Sequence, residues 1–163
     1  MTWLRRILRP PPPADPAADP FAVLHDHAVI AWDLDDTLVG HRAAQAMAAY
    51  IRATPEKRHV IVTFRGASQR DRVWRDLAPL DRSHFAALET TDDAEAALVQ
   101  RLLRQRARGL LAGPETAEET AYLHWKGRVC ARLGASVLVD DMTELVRQGC
   151  AAHDILLLHP DRF

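Results

Sequence analysis

Residues 28–39 read Ala28-Val29-Ile30-Ala31-Trp32-Asp33-Leu34-Asp35-Asp36-Thr37-Leu38-Val39, an apolar run that ends in three carboxylates and a hydroxyl. A buried strand has no structural use for several acids at its tip, because unpaired carboxylates repel one another and cost free energy to desolvate. A hard cation among them resolves the conflict. Mg²⁺ takes oxygen ligands and typically uses one or two carboxylates plus a substrate phosphate. Three further features have types suited to the same chemistry. Thr63 closes the apolar run His59-Val60-Ile61-Val62, the pair Asp140-Asp141 closes Ser136-Val137-Leu138-Val139, and Lys126 lies in a helical pattern ahead of that pair. Each also has a plainer reading when taken alone. Asp33 and Asp35 suit a strand-end turn, Thr63 an ordinary strand or helix cap, Lys126 a solvated helix face, and Asp140-Asp141 the cap of the next helix.

The elements that must position these residues follow from periodicity. Beyond Phe21, apolar strand-like runs alternate with helical patterns, which argues for a parallel sheet covered by helices. Strands are expected at 29–32, 59–62, 84–88, 136–139 and 155–158. Helices are expected at 42–52, at 68–77 with Pro79 as its stop, and at 93–111 ended by Gly113-Pro114. Thr116 with Glu119 forms a capping box for a helix reaching Trp125, and 127–133 adds a turn or two closed by Gly134. A last helix, 143–148, stops at Gly149. The fold class is therefore α/β, a Rossmann-like three-layer sandwich with a mostly parallel five-stranded sheet and helices on both faces. In such open sheets ligands bind outside the carboxyl ends of the strands, where strand order reverses. Asp33, Thr63 and Asp140-Asp141 all fall at such ends.

Asp33-x-Asp35-x-Thr37 at a strand end resembles the first motif of the haloacid dehalogenase-like (HAD) hydrolase superfamily, most of whose members are Mg²⁺-dependent phosphatases. Thr63 matches that family's Ser/Thr closing the second strand, Lys126 its lysine near the start of the helix before strand four, and Asp140-Asp141 the paired-acid form of its last motif. The likeness runs from Ala28 to the C-terminus with the motifs in family order. It implies a central first strand flanked by the second and fourth. It also implies that Asp33 attacks phosphorus to form an aspartyl-phosphate, and that Asp35 protonates the leaving oxygen and later takes a proton from water. Mg²⁺ would be held by the side chains of Asp33 and Asp140 and the main-chain carbonyl of Asp35, with Asp141 in or just behind that shell. Thr63 and Lys126 would hold phosphoryl oxygens, and Thr37 would order the turn. An acid at Asp35 favours phosphoester over carbon–halogen chemistry, because the family's dehalogenases lack one there.

Substrate clues are fewer. The span 39–59 holds little beyond one helix, and 88–125 reads as helices, so the resemblance implies a capless or minimally capped branch, with helix 93–111 as the candidate mini-cap. An open site admits a nucleotide, a nucleic-acid end or a phosphoprotein; a small metabolite fits if a neighbouring copy closes the site. Thr63-Phe64-Arg65-Gly66 resembles the Thr-x-Arg form of several phosphatase branches, polynucleotide phosphatases among them, which makes Arg65 a substrate candidate. His41 is a second, by its closeness to the first motif. Arg101, Arg104 and Arg108 share a helix face that suits either solvent or a polyanion.

Composition bounds the rest. The 163 residues read as a tail and proline-rich linker over 1–20 and one domain over 21–163. The 21 basic and 22 acidic side chains leave a net charge of −1, so whole-molecule attraction to nucleic acid is not implied. Among the basic residues only Lys57 and Lys126 are lysine. Cys130 and Cys150 show no metal or redox spacing and suit a reduced compartment. With no transmembrane stretch and no signal-peptide pattern in Met1–Arg9, a cytoplasmic location is expected. The opening Trp3, Leu4, Ile7 and Leu8 suit either a weak anchor or a floppy tail. Two rivals remain: a receiver-like phosphoacceptor, whose acceptor Asp is missing near Leu88-Glu89, and a HAD-fold binding or regulatory protein without turnover. No Gly-x-x-x-x-Gly-Lys-Ser/Thr or Gly-x-Gly-x-x-Gly after a strand occurs, which disfavours P-loop and dinucleotide enzymes.

Overall fold

Five apolar runs become the strands β1 (Val29–Trp32), β2 (Arg58–Gly66), β3 (Ala87–Thr91), β4 (Val137–Val139) and β5 (Leu156–Leu158). The computed structural model describes residues 19–107 and 117–163. Its helices are α1 (Ala44–Ala53), α2 (Arg70–Asp76), α3 (Asp93–Ala107), α4 (Ala117–Leu123), α5 (Trp125–Leu133) and α6 (Thr143–Ala151). Every strand pairing is parallel, and the sheet order is β3-β2-β1-β4-β5. The chain steps outward from β1 to β3, then returns across the sheet to β4 and β5. Strand order therefore reverses between β1 and β4.

Side-chain alternation along each strand sorts the core into two layers. Ile30, Trp32, Ile61, Val137 and Val139 pack with Met47 and Ile51 of α1 and Val73 of α2. Ala31, Val60, Val62 and Leu138 pack on the other face with Val129 and Cys130 of α5 and Val146 and Cys150 of α6. Helices on both faces of one parallel sheet make the three-layer, Rossmann-like α/β architecture expected of the sequence. The two cysteines are free thiols, and burial pushes each up to about 12.

Several boundaries differ from the sequence reading, for physical reasons. β2 runs on past Thr63 to Gly66, because β3 continues to pair with it there after a shift in register. β3 begins at Ala87 instead of 84, because Arg82–His84 forms a 3₁₀ turn capped by the Asp81 side chain, which accepts from the Ser83 N–H at 2.8 Å. α6 passes straight through Gly149, which the sequence marked as a stop. A Cβ on Gly149 would lie 2.7 Å from the His124 Cα, and one on Gly127 would lie 2.0 Å from the Gly149 carbonyl oxygen. These two glycines serve the close approach of α5 and α6 rather than helix ends. Gly134, by contrast, takes the left-handed cap position with φ of 74°.

The tail and linker before Asp19, the expected helix end at 108–111, Gly113-Pro114, Arg108 and Thr116 of the expected capping box lie outside the described residues, while Glu119 falls in α4. Arg101 and Arg104 are exposed on α3. No helix among the described residues is long and apolar enough to cross a membrane. Lys57, one of the two lysines, donates to the carbonyls of His25 and His27 at 2.7 and 3.0 Å, which ties the segment before β1 to the turn before β2.

Candidate functional site

The same alternation that sorts the core aims the carboxylates. Asp33 lies two residues past Ala31 and Asp140 two past Leu138, so both face the α5/α6 layer. The ladder continues beneath them: the Asp33 N–H donates to the Val139 carbonyl at 2.8 Å and the Asp140 N–H to the Leu158 carbonyl at 3.0 Å. Lys126, in the first turn of α5, enters from that layer. Its Nζ donates to Asp33 Oδ1 at 2.7 Å and to Asp140 Oδ2 at 2.6 Å. Lys126 and Asp140 are fully buried and Asp33 is 4 % exposed. Phe64 lies under the ammonium with its ring centroid 4.4 Å from Nζ.

Asp140 uses its second oxygen for the turn: Oδ1 accepts the Met142 N–H at 2.8 Å. Thr37, fully buried, accepts the Asp141 N–H on its hydroxyl at 3.2 Å, which joins the loop after β1 to the loop after β4. Asp141 thereby joins Asp33 and Asp140 in a group in which one carboxylate oxygen from each residue lies within 4.8 Å of the other two. Asp141 Oδ1 is buried with no hydrogen-bond partner.

The electrostatics follow from counting charges in a dry pocket. One ammonium faces three carboxyl groups, so all three cannot ionise together without leaving negative charge uncompensated. Burial pushes the Asp33 carboxyl well above its ordinary range; Lys126 pulls it back and Asp140 adds to the push. Asp141 is also raised, by burial and then by Asp140. Burial opposes the charge on Lys126, but the charges of Asp140 and Asp33 and their hydrogen bonds outweigh it, so the ammonium is held above its ordinary value. The arrangement is a set of hard oxygen donors that could hold a metal cation.

Thr63 is buried near the end of β2, one strand over from Asp33, where its hydroxyl accepts the Arg65 N–H at 3.3 Å. Asp35 follows Asp33 on the loop after β1 and is half-exposed. Arg65 grips it with both prongs: Nε donates to Oδ2 at 2.9 Å and Nη2 to Oδ1 at 2.6 Å. His41 is engaged elsewhere. Its Nε2 lies 3.3 Å from Asp161 Oδ1, its Nδ1 accepts the Ala43 N–H, and its ring meets His159 edge-on. It ties the loop after β1 to the C-terminal turn, because Asp161 offers a carboxylate within reach. Asp36 has φ of 53°, the left-handed backbone of a turn residue.

Two residues beside the site escaped the sequence reading. Phe64 follows Thr63, and strand alternation alone would have aimed it toward the lysine-bearing helix. Asp76 gave no signal: it sits on α2, outside every motif, and its Oδ2 accepts from Arg65 Nη1 at 2.6 Å. Comparison of the chain with family models, curated proteins and solved structures finds no match.

Proposed function

We propose that the chain is a Mg²⁺-dependent phosphomonoester hydrolase of the HAD-like type, acting through an aspartyl-phosphate, an acyl phosphate on Asp33. The observation that carries this reading is the buried Lys126 ammonium held between Asp33 and Asp140, with Asp141 alongside. The group sits at the one place in the parallel sheet where strand order reverses. The donor set fits a hard cation: it is all oxygen, and the buried Asp141 Oδ1 lacks a partner. Asp33, Asp140 and the Asp35 carbonyl would hold Mg²⁺, with Asp141 beside them. When bound, the ion offsets the charge of a phosphate dianion and of its equatorial oxygens as the transition state forms.

The chain's own groups divide the remaining work. Lys126 fixes one oxygen of Asp33 and presents positive charge where a phosphoryl group would sit. An Asp33 carboxylate oxygen forms the new bond to phosphorus as the ester oxygen leaves, and Asp35 gives that oxygen its proton. Water then attacks phosphorus, its proton passes to Asp35, and the bond to Asp33 breaks to release inorganic phosphate. Thr63 adds a hydroxyl for a phosphoryl oxygen. Asp35 is half-exposed and Arg65 stands beside it, which favours bulky substrates such as a nucleotide or a nucleic-acid end.

The test is phosphate release from an aryl phosphate, nucleotides, sugar phosphates and 3′-phosphorylated oligonucleotides, with Mg²⁺ or chelator, in the wild type and Asp33→Asn. Turnover that needs Mg²⁺ and vanishes in Asp33→Asn is the expected result. Turnover that persists in Asp33→Asn, or none on any substrate, refutes the reading.

A further inference from the structure

Asp76 closes a chain of ion pairs that ends on Asp35. Arg65 Nη1 donates to Asp76 Oδ2 at 2.6 Å, while Nε and Nη2 occupy both oxygens of Asp35 at 2.9 and 2.6 Å. The arginine side chain is 13 % exposed and the Asp35 side chain 54 %. An exposed carboxylate on a loop samples several rotamers, and an isolated surface ion pair contributes only about 0–1 kcal/mol to holding it. A two-pronged grip orients it only when the guanidinium plane is itself fixed. Here the backbone at Arg65 is held: its N–H donates to Thr63 Oγ1 at 3.3 Å, and the single Thr91 hydroxyl proton is shared between the Phe64 and Arg65 carbonyls at 3.3 and 3.4 Å. Asp76 holds the far nitrogen. The stem, the plane and both prongs are then set together.

We propose that Asp76 is a positioning residue that acts through Arg65 to orient the Asp35 carboxylate for proton transfer. This rests on the phosphatase reading above. The test is a double-mutant cycle in Mg²⁺ on an aryl phosphate, using the wild type, Asp76→Asn, Arg65→Gln and the double variant, with the Arg65 Nε–H resonance followed by ¹H–¹⁵N NMR. That resonance is assigned by its loss in Arg65→Gln. Asp76→Asn is expected to lower kcat about tenfold, the scale of lost outer-shell partners, with KM changed less than about twofold. In the Arg65→Gln background the same substitution should change kcat less than about twofold. Exchange of the Arg65 Nε–H with water should quicken about tenfold in Asp76→Asn. The same fall in kcat in both backgrounds, or an Arg65 Nε–H unchanged in Asp76→Asn, overturns the proposal. Should the wild type hydrolyse no phosphate ester, the phosphatase reading fails, and the Nε–H exchange still decides whether Asp76 holds Arg65.

Discussion

Replacing Lys126 by methionine tests the charge balance on which the site is built. The side chain is fully buried, and its ammonium makes two contacts, at 2.7 Å to Asp33 and 2.6 Å to Asp140. Methionine fills much of the same volume, so packing is largely kept while two buried carboxylates lose their counter-charge. Removing one partner of a buried ionic group costs about 3–5 kcal/mol. At about 2–4 °C per kcal/mol for a domain of this size, the unfolding midpoint in chelator should fall by roughly 6–20 °C at neutral pH. The sign of the pH effect follows. Without the ammonium, the folded-state Asp33 carboxyl rises further above its unfolded value, because Lys126 is what pulls it back. Such groups add stability below the unfolded pKa and lose it as pH rises, so the deficit against wild type should shrink between pH 7 and pH 4. Replacing the carboxylates as well, in Lys126→Met/Asp33→Asn/Asp140→Asn, removes the uncompensated charge and should recover most of the loss. Thermal unfolding followed by circular dichroism reads all of these. A single variant within about 1 kcal/mol of wild type at neutral pH, or a deficit that grows on acidification, refutes the reasoning.

Three other outcomes follow from the geometry. His59 accepts from Trp32 Nε1 at 3.1 Å on its Nδ1, and burial lowers its pKa below the ordinary 6.5; protonating that nitrogen would set two donors against each other. Its stability contribution is complete above the unfolded value and is lost as pH falls toward the folded one, so urea midpoints should drop from pH 7 to pH 5, with a shallower slope in His59→Gln; equal slopes would exclude His59 as the source. Gly127→Ala puts a methyl 2.0 Å from the Gly149 oxygen and should cost about 1–3 kcal/mol or more, whereas Gly134→Ala, which meets open space at positive φ, should cost about 1 kcal/mol; equal urea unfolding energies for the two would contradict the close helix contact. Mg²⁺ at about 100 times its Kd should stabilise the wild type by about 2.7 kcal/mol, and Asp141→Asn should weaken that gain in a thermal shift; an unchanged Mg²⁺ response in the variant would remove Asp141 from the cation site.

Much of the architecture was readable because its signals are local. Period-2 and period-3.6 patterns, with Gly and Pro as punctuation, located all five strands to within a few residues and marked Gly134 as a helix end. Where the reading slipped, a contact distant in sequence had decided the matter. Gly149 looks like a stop, yet it continues α6 because α5 crosses it with almost no room for a Cβ. The stretch 84–86 looks like strand, yet Asp81 caps a turn there. β2 outlasts Thr63 because β3 pairs with it to Gly66.

The candidate site divides the same way. The sequence by itself placed acids and a threonine at strand tips and Lys126 ahead of Asp140, since residue type and position within an element are properties of a short window. Residue spacing left open which strands are neighbours, and only the resemblance implied a first strand flanked by the second and fourth, as the sheet has it. Only the order β3-β2-β1-β4-β5 sets Asp33 beside Asp140 and within reach of one ammonium. Only the folded chain turns His41 to Asp161 and joins Asp35 to Asp76 through Arg65. The reason is range: periodicity is set by backbone geometry over a few residues, whereas a salt bridge forms wherever packing brings two charges together, however far apart they lie along the chain.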